Sequence, residues 1–375
     1  MSMRAAKVSY IRSFDYVLLL ASLALVGYGI LLIYSGSLPS YKNASAVLSH
    51  PVAKQIAFAI IGVAAMLALS RIDYQILGRV ASALYVGALG ALAFVLVVGA
   101  AIYGSRRWIE VGGTQVQPSE ITKLVLIIVL SKYLADRQEQ IGQVKTFAVS
   151  LLIVLLPMML VFAEPDLGSA VILFAIWLAI VIVGGARSRH VLGLFGAAAV
   201  AAPFALIALI NNYQRERIAT FLDPGKDPLG AGFNTLQAEI SIGSGKIFGK
   251  GLTHGTHTQL DYLRTQTTDY LFSVLGEELG FVGVMVLFAL FLLLLMRGLQ
   301  TASSSRDPFG RMMATGIVTY ILFQVFINIG VNIRLLPVTG VPLPFISQGG
   351  SSLVTLFIAL GILQSIRTHK RLPDR

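Results

Sequence analysis

No cysteine occurs anywhere in the 375 residues, which excludes disulfides, thiolate nucleophiles and zinc-thiolate sites, although it does not by itself name a compartment. Charge is scarce as well: Asp, Glu, Lys and Arg make up only 13% of the chain against 56% apolar residues, and the mean hydropathy is +0.78. A chain so poor in charge cannot cover a soluble globule with polar surface, and it is long enough for many membrane spans. Acidic residues are fewer than basic ones, 18 against 29, for a formal net charge of +11. Such an excess can signal nucleic acid, but these basic residues fall in short clusters between apolar runs. Membrane orientation accounts for them, and no nucleic-acid partner is expected.

Apolar runs of roughly twenty residues, the length that crosses a hydrocarbon core, predict an all-α polytopic membrane protein with about ten transmembrane helices. They lie near 15–35, 52–70, 78–103, 119–135, 147–163, 167–184, 190–211, 270–296, 310–333 and 345–366. The first follows Arg4, Lys7 and Arg12 but lacks a small-residue cleavage site, so it reads as a retained helix rather than a signal peptide. With both termini cytoplasmic, the inner loops collect Arg71, Arg79, Lys132, Arg137, Lys145, Arg187, Arg189, Arg297, Arg306, Arg311 and the basic C-terminus. The outer loops carry Lys42, Lys54, Arg106, Arg107 and Arg334. This orientation puts one long loop, 212–269, on the extracytoplasmic side between the seventh and eighth helices. A loop of that length is usually functional.

That loop alternates helix-like text with breakers: Asp223-Pro224 follows one short segment, and Gly243 to Gly251 follows an amphipathic stretch from Asn234 to Ile242. The glycine-rich part is not a P-loop, because Gly251 rather than Ser or Thr follows Lys250 and no strand precedes it. Exposed backbone amides beside Lys246 and Lys250 suit phosphate oxygens, and a flexible return loop is the equally open alternative. His254 and His257 lack a carboxylate ligand nearby, so a solvated loop is preferred to a metal site.

Asp269 stands at the outer lip of the eighth span. As a helix cap it would be a stabilised anion and a poor base; desolvated at the membrane lip it would be a better one. Both readings stand on the residues alone. Continuing one helix from Asp269, Glu277 lies roughly 12 Å deeper and about 80° round, whereas Glu278 is turned about 180° away. Glu277 is therefore expected to share a cavity with Asp269. Ser119, Glu120 and Lys123 form a second polar cluster in which Glu120 and Lys123 occupy one helix face and can pair. Arg106 and Arg107 place guanidinium groups at the preceding outer turn. Glu164-Pro165-Asp166 joins two spans with almost no loop, and its acidic groups should cap a helix or line something wet. A Pro/Gly-broken stretch, 336–352, precedes the last span, where irregular backbone must be buried in protein or face a cavity.

In this order, WIEVGGTQVQPSEITK, AEPDLGSA, RERIATFLDP, ISIGSGKIFGKGL, TTDYLFSVLGEELGFVG and NIGVNIRLLPVTGVPLPFISQGGSS resemble the SEDS family (shape, elongation, division and sporulation), which includes RodA and FtsW. The likeness covers nearly the whole chain, and VTGVPLPF is closer to the RodA branch. Departures at Leu263-Arg264-Thr265, Thr267, Arg334 and Gln348 bear on local loop geometry. The resemblance implies one SEDS-type transmembrane domain over 1–375, ten helices, and a peptidoglycan glycosyltransferase of the bacterial inner membrane acting in cell elongation and cell shape. It implies that Asp269 is the essential acid, with Glu120, Lys123, Arg217 and Glu277 at matching motif positions.

The implied reaction transfers a glycan from undecaprenyl pyrophosphate to the GlcNAc 4-hydroxyl of lipid II. An α donor linkage becomes β, so a single inverting displacement is expected. Asp269 would be the general base, and Arg107, Arg217, Lys246 and Lys123 candidates to bind the pyrophosphate. The sequence shows no dedicated metal cage, although a divalent cation, Mg or Mn, could share the leaving-group charge. A class B penicillin-binding protein is the implied partner. The competing readings are a lipid II flippase, since intramembrane charges and broken helices also mark transport paths, and a non-catalytic scaffold.

Overall fold

The computed structural model describes residues 13–41, 50–102, 105–111, 114–209, 212–226, 231–260, 262–263 and 265–369. The expectations for Arg4, Lys7, Arg12, Lys42, Arg264, the Arg106 side chain and the basic residues after His369 fall outside what is described. Thirteen α-helices make up the described chain: α1 (Tyr16–Tyr41), α2 (Pro51–Leu69), α3 (Gln75–Val98), α4 (Pro118–Ala135), α5 (Val144–Ala163), α6 (Leu167–Gly184), α7 (Ser188–Leu209), α8 (Asn212–Leu222), α9 (Ala231–Ser244), α10 (Thr256–Gln259), α11 (Leu271–Ser304), α12 (Pro308–Asn332) and α13 (Gly350–Thr368). Eight of them, all but α4 and α7 to α10, are long and apolar enough to cross a bilayer. Helices α4 and α7 coincide with the other two expected spans. α4 differs from those eight in carrying three charges, Glu120, Lys123 and Lys132, within its 18 residues.

Local chemistry sets the helix ends. Asp166 and Asp307 accept the amides of Ser169 and Gly310, at 3.0 and 3.1 Å, and so cap α6 and α12. Pro51, Pro118 and Pro308 occupy first-turn positions whose N–H would otherwise be unpaired. Gly185, at φ 101°, ends α6 in the left-handed region.

Helix α12 is the buried centre, packed by α4, α6 and α11. Around it α1 packs on α11, α2 on α13, and α3 on α4.

Two features depart from the sequence reading. The third span stops at Val98, and the chain then forms three antiparallel strands, β1 (Ala100–Ile102), β2 (Ser105–Val111) and β3 (Thr114–Val116), in the order β1-β2-β3. The Gly112-Gly113 pair between two β-rich runs is the hairpin signal that an apolar-length criterion passes over. The second departure is a break in α11 at Gly280, whose φ of 62° is non-helical. Residues 245–251 wedge into that break. Phe281 and Val282 donate to the carbonyls of Lys246 and Ile247 at 2.9 and 3.0 Å, and Lys250 and Gly251 donate to those of Glu277 and Glu278 at 3.0 and 2.9 Å. A side chain at Gly249 would bring its Cβ to 2.1 Å from the Glu278 carbonyl. The glycines thus serve a backbone-to-backbone approach to α11 rather than a phosphate cradle.

Candidate active site

A cavity of about 570 Å³ opens above α12, and Asp269 lines it together with Arg107, Lys54 and Gln117. Its wall draws on Thr265–Asp269, the turn before α11; on β2, which brings Arg107; on the first turns of α2, which bring Lys54; on Gln115 and Gln117 ahead of α4; and on the Pro/Gly-broken stretch before α13. Gln348 N donates to the Thr267 carbonyl at 2.9 Å, and Ser347 Oγ donates to the Thr268 carbonyl at 2.5 Å. The irregular backbone expected in that stretch therefore borders a cavity, the setting in which it is tolerated at membrane depth.

Asp269 is not the cap of α11. The helix begins at Leu271, and Tyr270 is its cap residue without a side-chain cap hydrogen bond. The Asp269 carbonyl is held by two asparagines, Asn328 Nδ2 at 3.1 Å and Asn332 Nδ2 at 2.9 Å. Burial pushes its carboxyl above the ordinary range, while Arg107, Arg217 and the Thr268 hydroxyl pull it back and Asp166 adds to the rise. A carboxylate shifted upward but still faced by cations is suited to taking a proton near neutral pH.

Arg107 is 7% exposed and lies 3.9 Å from Asp166, with its guanidinium against the backbone of Gly340. Its Nε and Nη1 have no hydrogen-bond partner among the described residues. Such buried, unsatisfied donors are costly unless a ligand fills them. Asp166 also accepts Gln117 Nε2 at 2.9 Å, so it both caps α6 and fixes the start of α4. Its neighbour Glu164 is fully buried with neither oxygen partnered among the described residues, and burial with the Asp166 charge pushes its carboxyl up to about 8 against the opposing pull of Arg107. Arg217 donates to the Val338 carbonyl at 2.7 Å and stands in the electrostatic environment of Asp269.

The other expected site residues lie elsewhere. Glu120 and Lys123 pair at 2.5 Å beneath the cavity rather than in its wall. Glu120 also accepts Tyr320 Oη at 2.8 Å and Ser352 Oγ at 3.1 Å, and Ser352 is the link to the cavity lining. Glu277 does not share the cavity. It accepts Lys250 Nζ at 2.7 Å, His257 N at 3.0 Å, and Thr258 N and Oγ1 at 3.2 and 3.0 Å. Counting turns from Asp269 misplaces it because Asp269 is outside the helix and the wedge consumes the carboxylate. Lys246 is exposed, at a left-handed φ of 50°, and does not line the cavity. His257 likewise belongs to the Glu277 cluster, and among the described residues no three His, Asp or Glu converge on a metal site.

Sequence reasoning also passes over a polar stripe on α12. Tyr320, Gln324, Asn328 and Asn332 recur every fourth residue along one face of an otherwise apolar span. They bond in turn to Glu120, to Pro342 O and Ser352, to Asp269 O and Val341 O, and to Asp269 O. Polar groups repeated inside a span are the signal that could have found them.

Beside the polar cavity runs an apolar groove of about 430 Å³ between α2, α3, α4 and α13, sharing Phe58, Gln115, Gly350 and Ser351 with it. A charged cavity continuous with an apolar groove suits an amphiphile with an anionic head. The family model of the FtsW, RodA and SpoVE cell cycle proteins matches residues 16–372. The chain belongs to this family.

Relatives agree along the whole length. The peptidoglycan glycosyltransferase MrdB of Escherichia coli K12 is 37% identical over 365 residues, which is 96% of this chain and 95% of that protein. A probable peptidoglycan glycosyltransferase FtsW of Geobacter metallireducens is 36% identical over 365 residues, covering 96% of each. Among solved structures, a chain of a peptidoglycan synthase complex that coordinates polymerization and crosslinking superposes with a TM-score of 0.79 at 32% identity, over 96% of this chain and 99% of that one. The rod shape determining protein RodA of Thermus thermophilus gives 0.70 at 28% identity, over 96% and 98%. The helical fold and multi-pass membrane character are thus those of the family.

Proposed function

We propose that this chain is a peptidoglycan glycosyltransferase that polymerises lipid II in the bacterial inner membrane during cell elongation. The carrying observation is the Asp269 carboxyl, raised by burial, in a cavity that also holds the unsatisfied Arg107 guanidinium and opens beside an apolar groove. The groove fits a polyprenyl chain and the cavity its pyrophosphate and sugars.

In this reading Asp269 accepts the proton of the GlcNAc 4-hydroxyl as that oxygen attacks the donor anomeric carbon. The bond from that carbon to the pyrophosphate oxygen breaks, with inversion. Arg107 faces the charge that gathers on the leaving group, and a preorganised cation in a water-poor site is the efficient way to stabilise it. Arg217 holds the Val338 segment and adds positive potential. Lys123, Glu120 and Glu277 act as structural supports rather than in contact with the reacting atoms, and Lys246 stands outside the pyrophosphate site. Any divalent cation would arrive with the pyrophosphate as its main ligand. A class B penicillin-binding protein is the partner that would cross-link the product.

Purified protein in detergent or liposomes, given labelled lipid II with and without that partner, tests the proposal. Glycan polymer is the expected product. Lipid II appearing on the opposite leaflet without polymer supports a flippase, and the absence of both polymer and transport supports a scaffold.

A further inference from the structure

The carbonyl of a helix-capping residue normally accepts the first intrahelical hydrogen bond, from the amide four residues on. If α11 began one residue earlier, Asp269 would be that cap. Its carbonyl would take the Ser273 amide, and its carboxylate would turn to the free amides of the first turn. The Asp269 carbonyl is instead occupied by Asn328 Nδ2 and Asn332 Nδ2, at 3.1 and 2.9 Å. The Ser273 amide bonds to Tyr270 O at 2.9 Å, one residue further along. The Ser273 hydroxyl is held by the same device, donating to Asn332 Oδ1 at 2.7 Å. Both asparagines are buried, at 2% and 0% exposure. Asn328 also grips Val341 O at 2.9 Å, and Asn332 is braced on Asn328 O at 2.9 Å.

We propose that Asn328 and Asn332 are positioning residues that stop α11 one residue short, denying Asp269 the capping position and keeping its carboxylate for the cavity. The idea rests on the reading of Asp269 as the general base. Two buried amides each spend a donor on a single carbonyl that a helix would otherwise satisfy internally. What this secures is a carboxylate that lines the cavity instead of taking the cap position, where the first-turn amides and the helix field would hold it as a stable anion. Released from the clamp, Asp269 becomes the cap, and the best acid–base group of the cavity becomes part of a helix end.

The test compares Asn332→Ala and the double variant Asn328→Ala/Asn332→Ala with the parent chain in lipid II polymerisation, recording kcat, KM and the pH profile, with thermal unfolding as a check on folding. The groups around Asp269 are Arg107 from β2, Arg217 from α8, Asp166 from the α5–α6 turn and Thr268 from its own segment, with Lys54 of α2 and Glu110 of β2 lining the same cavity, and all remain in these variants. The double variant should lose about a hundredfold in kcat, what a small misplacement of a reacting group costs, with KM little changed. The acid limb of its pH profile should move to lower pH, as a capped carboxylate titrates lower. Asn332→Ala, which keeps the Asn328 donor, should lie between. A purely structural role predicts a lowered unfolding temperature with an unmoved pH profile and a kcat reduced only in step with the folded fraction; that result overturns the clamp. Should Asp269→Asn itself keep polymerising, the failure lies in the general-base reading. Should that variant be inactive while the double variant matches the parent, the clamp alone fails.

Discussion

Tyr320 donates its hydroxyl to Glu120 Oε2 at 2.8 Å across the α4–α12 interface. With Lys123 on the other oxygen and Ser352 Oγ beside Tyr320, every hydrogen-bond partner of Glu120 is itself buried. Removing Glu120 strands Lys123 as an unpaired buried cation. Glu120→Ala should therefore destabilise by about 3–5 kcal/mol, the usual cost of breaking a buried pair. Glu120→Ala/Lys123→Met, which removes both charges, should recover part of that loss. Thermal or denaturant unfolding in detergent measures both. Additive losses in the double variant would show that the two side chains act independently.

Arg107 has buried donors that no described residue satisfies. If they serve the pyrophosphate, Arg107→Ala should lower polymerisation about 10²–10³-fold, the range for deleting one preorganised stabiliser of transition-state charge. Arg107→Lys should recover little, because a single ammonium cannot reproduce the planar fork. Steady-state rates with labelled lipid II decide this. Near-parent rates in both variants would assign Arg107 to holding Asp166 and Gly340 instead.

Glu164 predicts a pH dependence of stability with a definite sign. Its carboxyl sits near 8 in the fold against an ordinary 4.5, so the folded chain holds a proton that the unfolded chain releases. Stability is therefore greatest below about 4.5 from this group's standpoint, and it declines as pH rises between the two values. Unfolding temperature should fall from pH 6 to pH 9 in the parent. Glu164→Gln, neutral throughout and of the same shape, should flatten that slope. An identical slope in the variant would show that another group controls it.

Much of this arrangement was legible in the residues, and the exceptions have physical causes. Apolar length places the spans because bilayer thickness dictates it, and α4 is legible by the same measure despite Glu120, Lys123 and Lys132 within it. The hairpin was missed because strands β1 to β3 follow directly on an apolar helix and are short. Asp269 was recognisable as an acid at a helix start, but whether it caps depends on Asn328 and Asn332, some sixty residues downstream. Glu277 was placed on the wrong cavity because a regular helix was extended back through Tyr270, and because the glycine-rich wedge at Gly249 leaves no local trace of the helix it enters. The role of Asp166 as the hub between Gln117, Ser169 and Arg107 needed the tertiary contacts of three elements.

Asp269→Asn is the most direct test of the central claim. The substitution keeps the shape of the side chain and the backbone carbonyl that Asn328 and Asn332 hold, and replaces the carboxyl by a neutral amide that cannot act as a base. Polymerisation of labelled lipid II by the purified variant should fall to background, while its unfolding temperature and its binding of lipid II stay at parental values. Sustained polymer synthesis by that variant would contradict the assignment of Asp269 as the general base.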